Sequence, residues 1–122
     1  MSHIGLVPLL MQEGVCRTRL DVARHLVNSR GDIHGGSIMS AMDFTLSAAA
    51  RSHDPLSLGS ITIDMTSHFY APARSSLIIE GRCTRRGRSV VFCDGEARDE
   101  NDTLVAVSRA VFKLVRMEVS ES

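Results

Sequence analysis

The stretch Gly31 to Phe44, GDIHGGSIMSAMDF, gathers groups that can do chemistry. His34 is followed by two adjacent glycines, Gly35 and Gly36, and then by an apolar run interrupted by one carboxylate, Asp43. A helix start exposes backbone N–H groups that have no intrahelical acceptor, at the positive end of the helix dipole. With glycine at 35 and 36, a ligand oxygen can approach those donors with no Cβ in the way. That is what an oxyanion hole requires. Asp43 needs its own reason, because taking a carboxylate out of water costs on the order of several kcal/mol unless it is paired or hydrogen-bonded. Catalysis is one reason. The other is a structural carboxylate satisfied by Ser40, Ser47 or a neighbouring backbone amide. The Gly35-Gly36 pair likewise suits either a site or a tight turn.

Spacing restricts how these groups can cooperate. Gly35 and Asp43 lie eight residues apart, about 12 Å along a helix at ~1.5 Å per residue. Asp43 is therefore too far to act on a carbonyl held at its own helix start. Two antiparallel copies of the helix about a twofold axis remove the difficulty, with Asp43 of one copy facing the Gly35 amide of the other.

The elements that must position these residues follow from the patterning. Residues 1–12 read as a short helix or arm. Over 14–28, Val15, Arg17 and Arg19 alternate with Cys16, Thr18 and Leu20, a strand pattern, and 29–36 is a loop. Ser37 can cap a helix over 38–51 that is apolar around most of its circumference, with a narrow stripe of Ser40, Asp43 and Ser47. Such a helix is largely enclosed. Residues 52–59 form a loop containing Pro55. From Ser60 the period becomes two, with Ile61, Ile63 and Met65 against Thr62, Asp64 and Thr66. Three more strands follow over 76–86, 89–100 and 103–115, with turns at Gly87 and at Asn101-Asp102, giving an antiparallel meander. The last residues fray. The sum is α+β: about five antiparallel strands wrapped around one long central helix, a single domain over residues 1–122. Only one face of a single sheet packs on the helix, so the other face or an edge strand needs solvent or a partner. A homo-oligomer is expected.

Composition narrows the function classes. The 14 basic and 14 acidic residues balance, which argues against nucleic acid as the main partner. The three cysteines, Cys16, Cys83 and Cys93, form no CxxC or Cys/His cluster. Neither a zinc site nor a disulfide framework is expected, and a reducing cytosol fits. The five histidines show no ligand spacing, so no metal is expected. The N-terminus lacks a basic region and is broken by Pro8, unlike a signal peptide. No apolar run approaches membrane-spanning length.

The combination Asn28…His34-Gly35-Gly36…Asp43, the stretch SITIDMTSHFYAPA and the hairpin RRGRSVVF resemble the hotdog-fold acyl-CoA thioesterases of the phenylacetate-degradation type, akin to 4-hydroxybenzoyl-CoA thioesterases. The resemblance spans about residues 14–115. It implies a helical sausage in a curved sheet bun, no cofactor, and active sites shared between subunits of a dimer or a tetramer. It implies that Asp43 acts as nucleophile or as general base on water, and that the Gly35 amide holds the oxyanion, with Gly36 beside the substrate. Asn28 and His34 would position the loop or the thioester, and Thr62 would orient water. Gly87 and Arg88 match a family turn near the nucleotide. With Arg82, Arg85 and Arg86 they form a candidate site for the coenzyme A phosphates; a solvated, charged turn is the plainer reading. Met39, Met42, Phe44 and Phe69 either line an acyl tunnel or belong to the core. Two other functions fit the fold: hydration of an enoyl thioester, for which Asp32-x-His34 is the available couple, and acyl-CoA binding without turnover.

Overall fold

The computed structural model describes residues 5–21 and 33–117. Strands β1 (Leu6–Gln12) and β2 (Val15–Leu20) form a hairpin, helix α1 (Gly35–Ala50) follows, and then come β3 (Leu58–Phe69), β4 (Leu77–Arg86), β5 (Val90–Arg98) and β6 (Leu104–Arg116). All six strands join one sheet in the order β1-β2-β4-β5-β6-β3, every neighbouring pair antiparallel. Helix α1 packs against all six strands, which a sheet achieves only by curling around it.

The expected meander is present as β4-β5-β6. The sheet has six strands where about five were expected, because residues 6–12 form the edge strand β1 and not a helix or arm. Its pattern is hard to read because an edge strand buries little; here only Leu6 is buried. Pro8 is tolerated at an edge, and the register shifts between Pro8 and Leu10. The helix also starts earlier than expected. His34, not Ser37, is its N-cap, without a side-chain cap bond. Ser37 lies in the first turn, its N–H donating to the His34 carbonyl at 3.0 Å.

The core forms where alternating strand residues meet the helix. Leu20, Leu77, Ile79, Val91 and Phe112 from the strands close on Met42 and Leu46 of α1, all fully buried. One polar pair lies among them: Thr18 and Thr45 share a hydrogen bond of 2.7 Å, and Thr45 Oγ1 donates to the Ala41 carbonyl at 2.8 Å. Both hydroxyls are thus satisfied, as burial demands. The helix packs closely over two glycines paired across β4 and β5, Gly81 and Gly95. A Cβ on Gly81 would stand 3.2 Å from Leu46 Cα and from the Thr45 carbonyl oxygen, and one on Gly95 would overlap Leu46 Cδ1. Gly81 meets backbone, so Gly81→Ala has to lift the helix. We expect it to cost about 1–3 kcal/mol, read as a lowered midpoint in urea unfolding with an unchanged slope.

Candidate active site

The polar stripe of α1 faces β3. Ser47 Oγ hydrogen-bonds Ser60 Oγ. One turn earlier, Thr62 Oγ1 donates to Asp43 Oδ1 at 2.8 Å. The serine partners expected for a structural Asp43 are not the ones observed. Its carboxylate is held by neither Ser40 nor Ser47 but by a residue of the neighbouring strand. Asp43 is half-buried, while Ser40 is exposed.

A local irregularity aims Thr62. Simple alternation would put Thr62 on the face of Asp64 and Thr66. In β3 the register shifts between Thr62 and Asp64, so Thr62 pairs with the buried Phe112 while Asp64 pairs with Val111. Residues directly opposite in an antiparallel pair share a face. Ile63 is the extra residue of a bulge, and beyond it Thr62 turns to the helix side with Met65. Ile61 and Ile63 are left 55% and 57% exposed on the edge strand, contrary to the single apolar face that alternation suggests.

At the other end of the open helix face stands the His34-Gly35-Gly36 start. The Ile38 N–H makes the first i→i−4 bond, to the His34 carbonyl at 3.2 Å, so the Gly35 and Gly36 amides precede the ladder. Neither glycine has a positive φ, which corrects the reading of this pair as a tight turn. Nor does the chain's own packing exclude a side chain: a Cβ on Gly35 would meet only Phe69 Cζ, at 3.8 Å, and one on Gly36 nothing within 4 Å. Among the described residues nothing crowds either position, so the two glycines leave the first amides of α1 open to close approach by a ligand or a second molecule. His34 is exposed.

The remaining candidates lie elsewhere. Asn28 is outside the described residues. In the β4–β5 turn, Gly87 donates its N–H to the Val90 carbonyl at 2.8 Å, and a Cβ there would come within 3.0 Å of that oxygen, so the turn itself requires this glycine. Arg86 pairs with Glu13 at 3.3 Å; Arg85 and Arg88 are exposed. Strands β5 and β6 separate β4 from β3, placing Arg86, in line with Thr62 through Val91 and Phe112, about 14 Å from it along the sheet at ~4.8 Å per strand. One chain thus joins Asp43 to Thr62 but leaves the arginines and its own helix start at a distance. Met42 belongs to the core, while Met39, Phe44 and Phe69 are 39%, 38% and 46% exposed on the side of Asp43 and β3. A cleft of about 760 Å³ lies on the outer face of the sheet over Asp64, His68, Arg82 and Arg109, and of the candidate residues Arg82 alone lines it.

Comparison with known proteins supplies relatives. The family described as "Thioesterase superfamily" matches residues 30–106. The provisionally named esterase SSO1253 of Saccharolobus solfataricus is 28% identical over 99% of this chain and 81% of its own length. The structure of the conserved protein PA5202 from Pseudomonas aeruginosa superposes with a TM-score of 0.87 at 30% identity, covering 93% of this chain and 90% of that one. The structure of smu.793 from Streptococcus mutans UA159, bound to acetyl CoA, superposes with a TM-score of 0.83 at 17% identity, covering 93% and 91% of the two chains; at that identity it speaks for the fold.

Proposed function

The chain belongs to the Thioesterase superfamily and is a thioester hydrolase, and on that premise we propose that its substrate is an acyl-coenzyme A, cleaved to a free carboxylic acid and the thiol at a site shared by two copies of the chain. The observation that carries this reading is the Thr62–Asp43 hydrogen bond on an open helix face. Thr62 engages Oδ1 of Asp43 and fixes the carboxylate plane, leaving Oδ2 to act. Either Oδ2 takes a proton from water as the water attacks the thioester carbon, or Oδ2 attacks the carbon itself and water then cleaves the anhydride. In both routes the carbonyl oxygen gains negative charge, and the Gly35 N–H of the second copy stabilises it. The C–S bond breaks, and the leaving thiolate takes up a proton. His34 and Gly36 border the carbonyl, and Asn28 positions the loop ahead of it.

Exposed apolar surface supports pairing of two copies. Met39, Phe44, Ile61, Ile63, Phe69 and Tyr70 are all exposed, and β3 is an edge strand of the sheet. A twofold contact along β3 covers these side chains, satisfies the strand edge, and sets the helices antiparallel. The arginine hairpin stands apart from Asp43, across β5 and β6 from β3, which suits a substrate whose phosphates and reacting carbonyl are at opposite ends; Arg85 and Arg88 supply charge there, and Arg86 does so on leaving Glu13. The smu.793 structure, which holds acetyl CoA on this fold, supports the reading.

The test is a panel of aryl-, arylacetyl- and medium-chain acyl-CoAs, with a medium-chain enoyl-CoA beside them, and a thiol-trapping reagent. Thiol release from at least one class is the expected result. Binding across the panel without thiol release, or loss of an enoyl chromophore with no thiol, overturns the reading in favour of a carrier or a hydratase.

A further inference from the structure

Two cysteines that play no part in the hydrolysis face each other at the base of the arginine hairpin. Cys83 of β4 and Cys93 of β5 are directly opposite in register, and their Sγ atoms are 3.8 Å apart. The Cys83 N–H donates to the Gly14 carbonyl at 2.8 Å, away from β5, so Cys83 and Cys93 form a pair without mutual backbone hydrogen bonds. In such pairs the Cα atoms approach to about 4.5 Å, inside the ~4.4–6.8 Å range that a disulfide spans. Backbone and side chains are therefore placed for an S–S bond with little movement.

Access is asymmetric. Cys93 is fully buried, whereas Cys83 is half-buried and lines a cleft of about 430 Å³ with Glu13, Gly14, Thr84, Arg85 and Arg86. We propose that Cys83 and Cys93 are a thiol pair that reacts with an anionic low-molecular-weight disulfide, Cys83 as the entry thiol and Cys93 as the resolving thiol. The Cys83 thiolate attacks one sulfur of the small disulfide. The S–S bond of the reagent breaks, and one thiolate leaves and is protonated. Cys93, giving up its proton to solvent, then attacks the Cys83 sulfur and expels the second thiol. One disulfide is reduced to two thiols as the protein pair is oxidised.

The surroundings favour this order. The hydrogen bond from Cys93, helped by the Arg86 charge and opposed by burial, brings the Cys83 thiol down to about 7. The same bond, together with burial, pushes Cys93 up. In the resting state Cys83 Sγ also donates to the Ala49 carbonyl at 3.1 Å, a hydrogen bond that ends when the thiol gives up its proton. That oxygen keeps a partner in the Ser52 hydroxyl, at 2.7 Å, so oxidation orphans no acceptor. Arg85 and Arg86 at the mouth supply the preference for an anionic reagent. Cys16 is buried, and burial raises its thiol, which makes it an internal control.

The test treats the folded, reduced protein with oxidised glutathione and, separately, with the neutral hydroxyethyl disulfide, and reads intact mass and peptide maps. The expected product is a Cys83–Cys93 link. Cys93→Ser should stop at one glutathione on Cys83, Cys83→Ser should take none at Cys93, and the anionic reagent should react several-fold faster once each rate is divided by that with the unfolded chain. Alkylation of Cys83 should rise through pH about 7 while Cys16 lags. A folded protein whose thiols all stay free, an adduct arising first on Cys93 or Cys16, or equal corrected rates for the two reagents overturns the proposal.

Discussion

Asp43→Asn lowers kcat for the best acyl-CoA by about 10³-fold, within the range for removing a general base, while KM changes by no more than a few-fold. The substitution keeps the shape of the side chain. An asparagine carbonyl oxygen still accepts the Thr62 hydroxyl that now bonds Oδ1 at 2.8 Å, so strand and helix stay in register and the loss isolates proton transfer or nucleophilic attack. Thr62→Val is the companion. It leaves the carboxylate but removes the donor that orients it, and should cost about tenfold, in keeping with a positioning hydrogen bond of ~1.5 kcal/mol. Thermal unfolding of both variants should match the parent closely, since Asp43 is only half-buried and Thr62 is exposed. Unchanged steady-state turnover in Asp43→Asn removes Asp43 from the chemistry.

Which parts of this architecture are legible in the chain depends on how much each residue buries. Strand β5 alternates throughout, β4 does so as far as Cys83, and β6 does so between Ala106 and Lys113, because these stretches pack one face on the helix, and period two survives translation into structure. Strand β1 escapes such a reading because only Leu6 of its residues is buried. The helix start is misplaced by the capping logic that favours serine: a side-chain cap is one solution to unsatisfied N–H groups, and here the His34 carbonyl takes the Ser37 and Ile38 amides while Gly35 and Gly36 precede the ladder. Asp43 stands out as a carboxylate among apolar neighbours, but its partner does not follow from spacing. Thr62 reaches it only because a bulge at Ile63 reverses the face of β3, and a one-residue slip of that kind inverts every side chain before it. The Gly81–Gly95 floor and the Cys83–Cys93 pair are invisible for a related reason: each is a cross-strand coincidence fixed by register, with no local signature in either strand.

Mixing two inactive variants restores about a quarter of the parent activity if the site is shared. Gly35→Val sets a branched side chain beside the amide that holds the oxyanion; the chain itself has room, since a Cβ there meets only Phe69 Cζ at 3.8 Å, so the variant should fold and lose turnover by blocking the carbonyl. Asp43→Asn folds and lacks the acting carboxylate. Unfolded together and refolded, the two chains pair at random, so that about half of the dimers are hybrids by the statistics of a twofold assembly. In a hybrid, one site combines the intact Asp43 of the valine chain with the intact Gly35 of the asparagine chain, and the other site carries both lesions. One working site in two, in half of the dimers, gives the quarter. Geometry within one chain predicts none of this recovery, because Gly35 and Asp43 of the same copy stand about 12 Å apart along α1 and each variant chain brings only one of the two groups intact. Refolded mixtures that show dimers by light scattering yet stay at the level of the separate variants place both groups in one chain's site and overturn the antiparallel pairing along β3, whereas recovery near a quarter fixes the two helices head to tail across a single thioester.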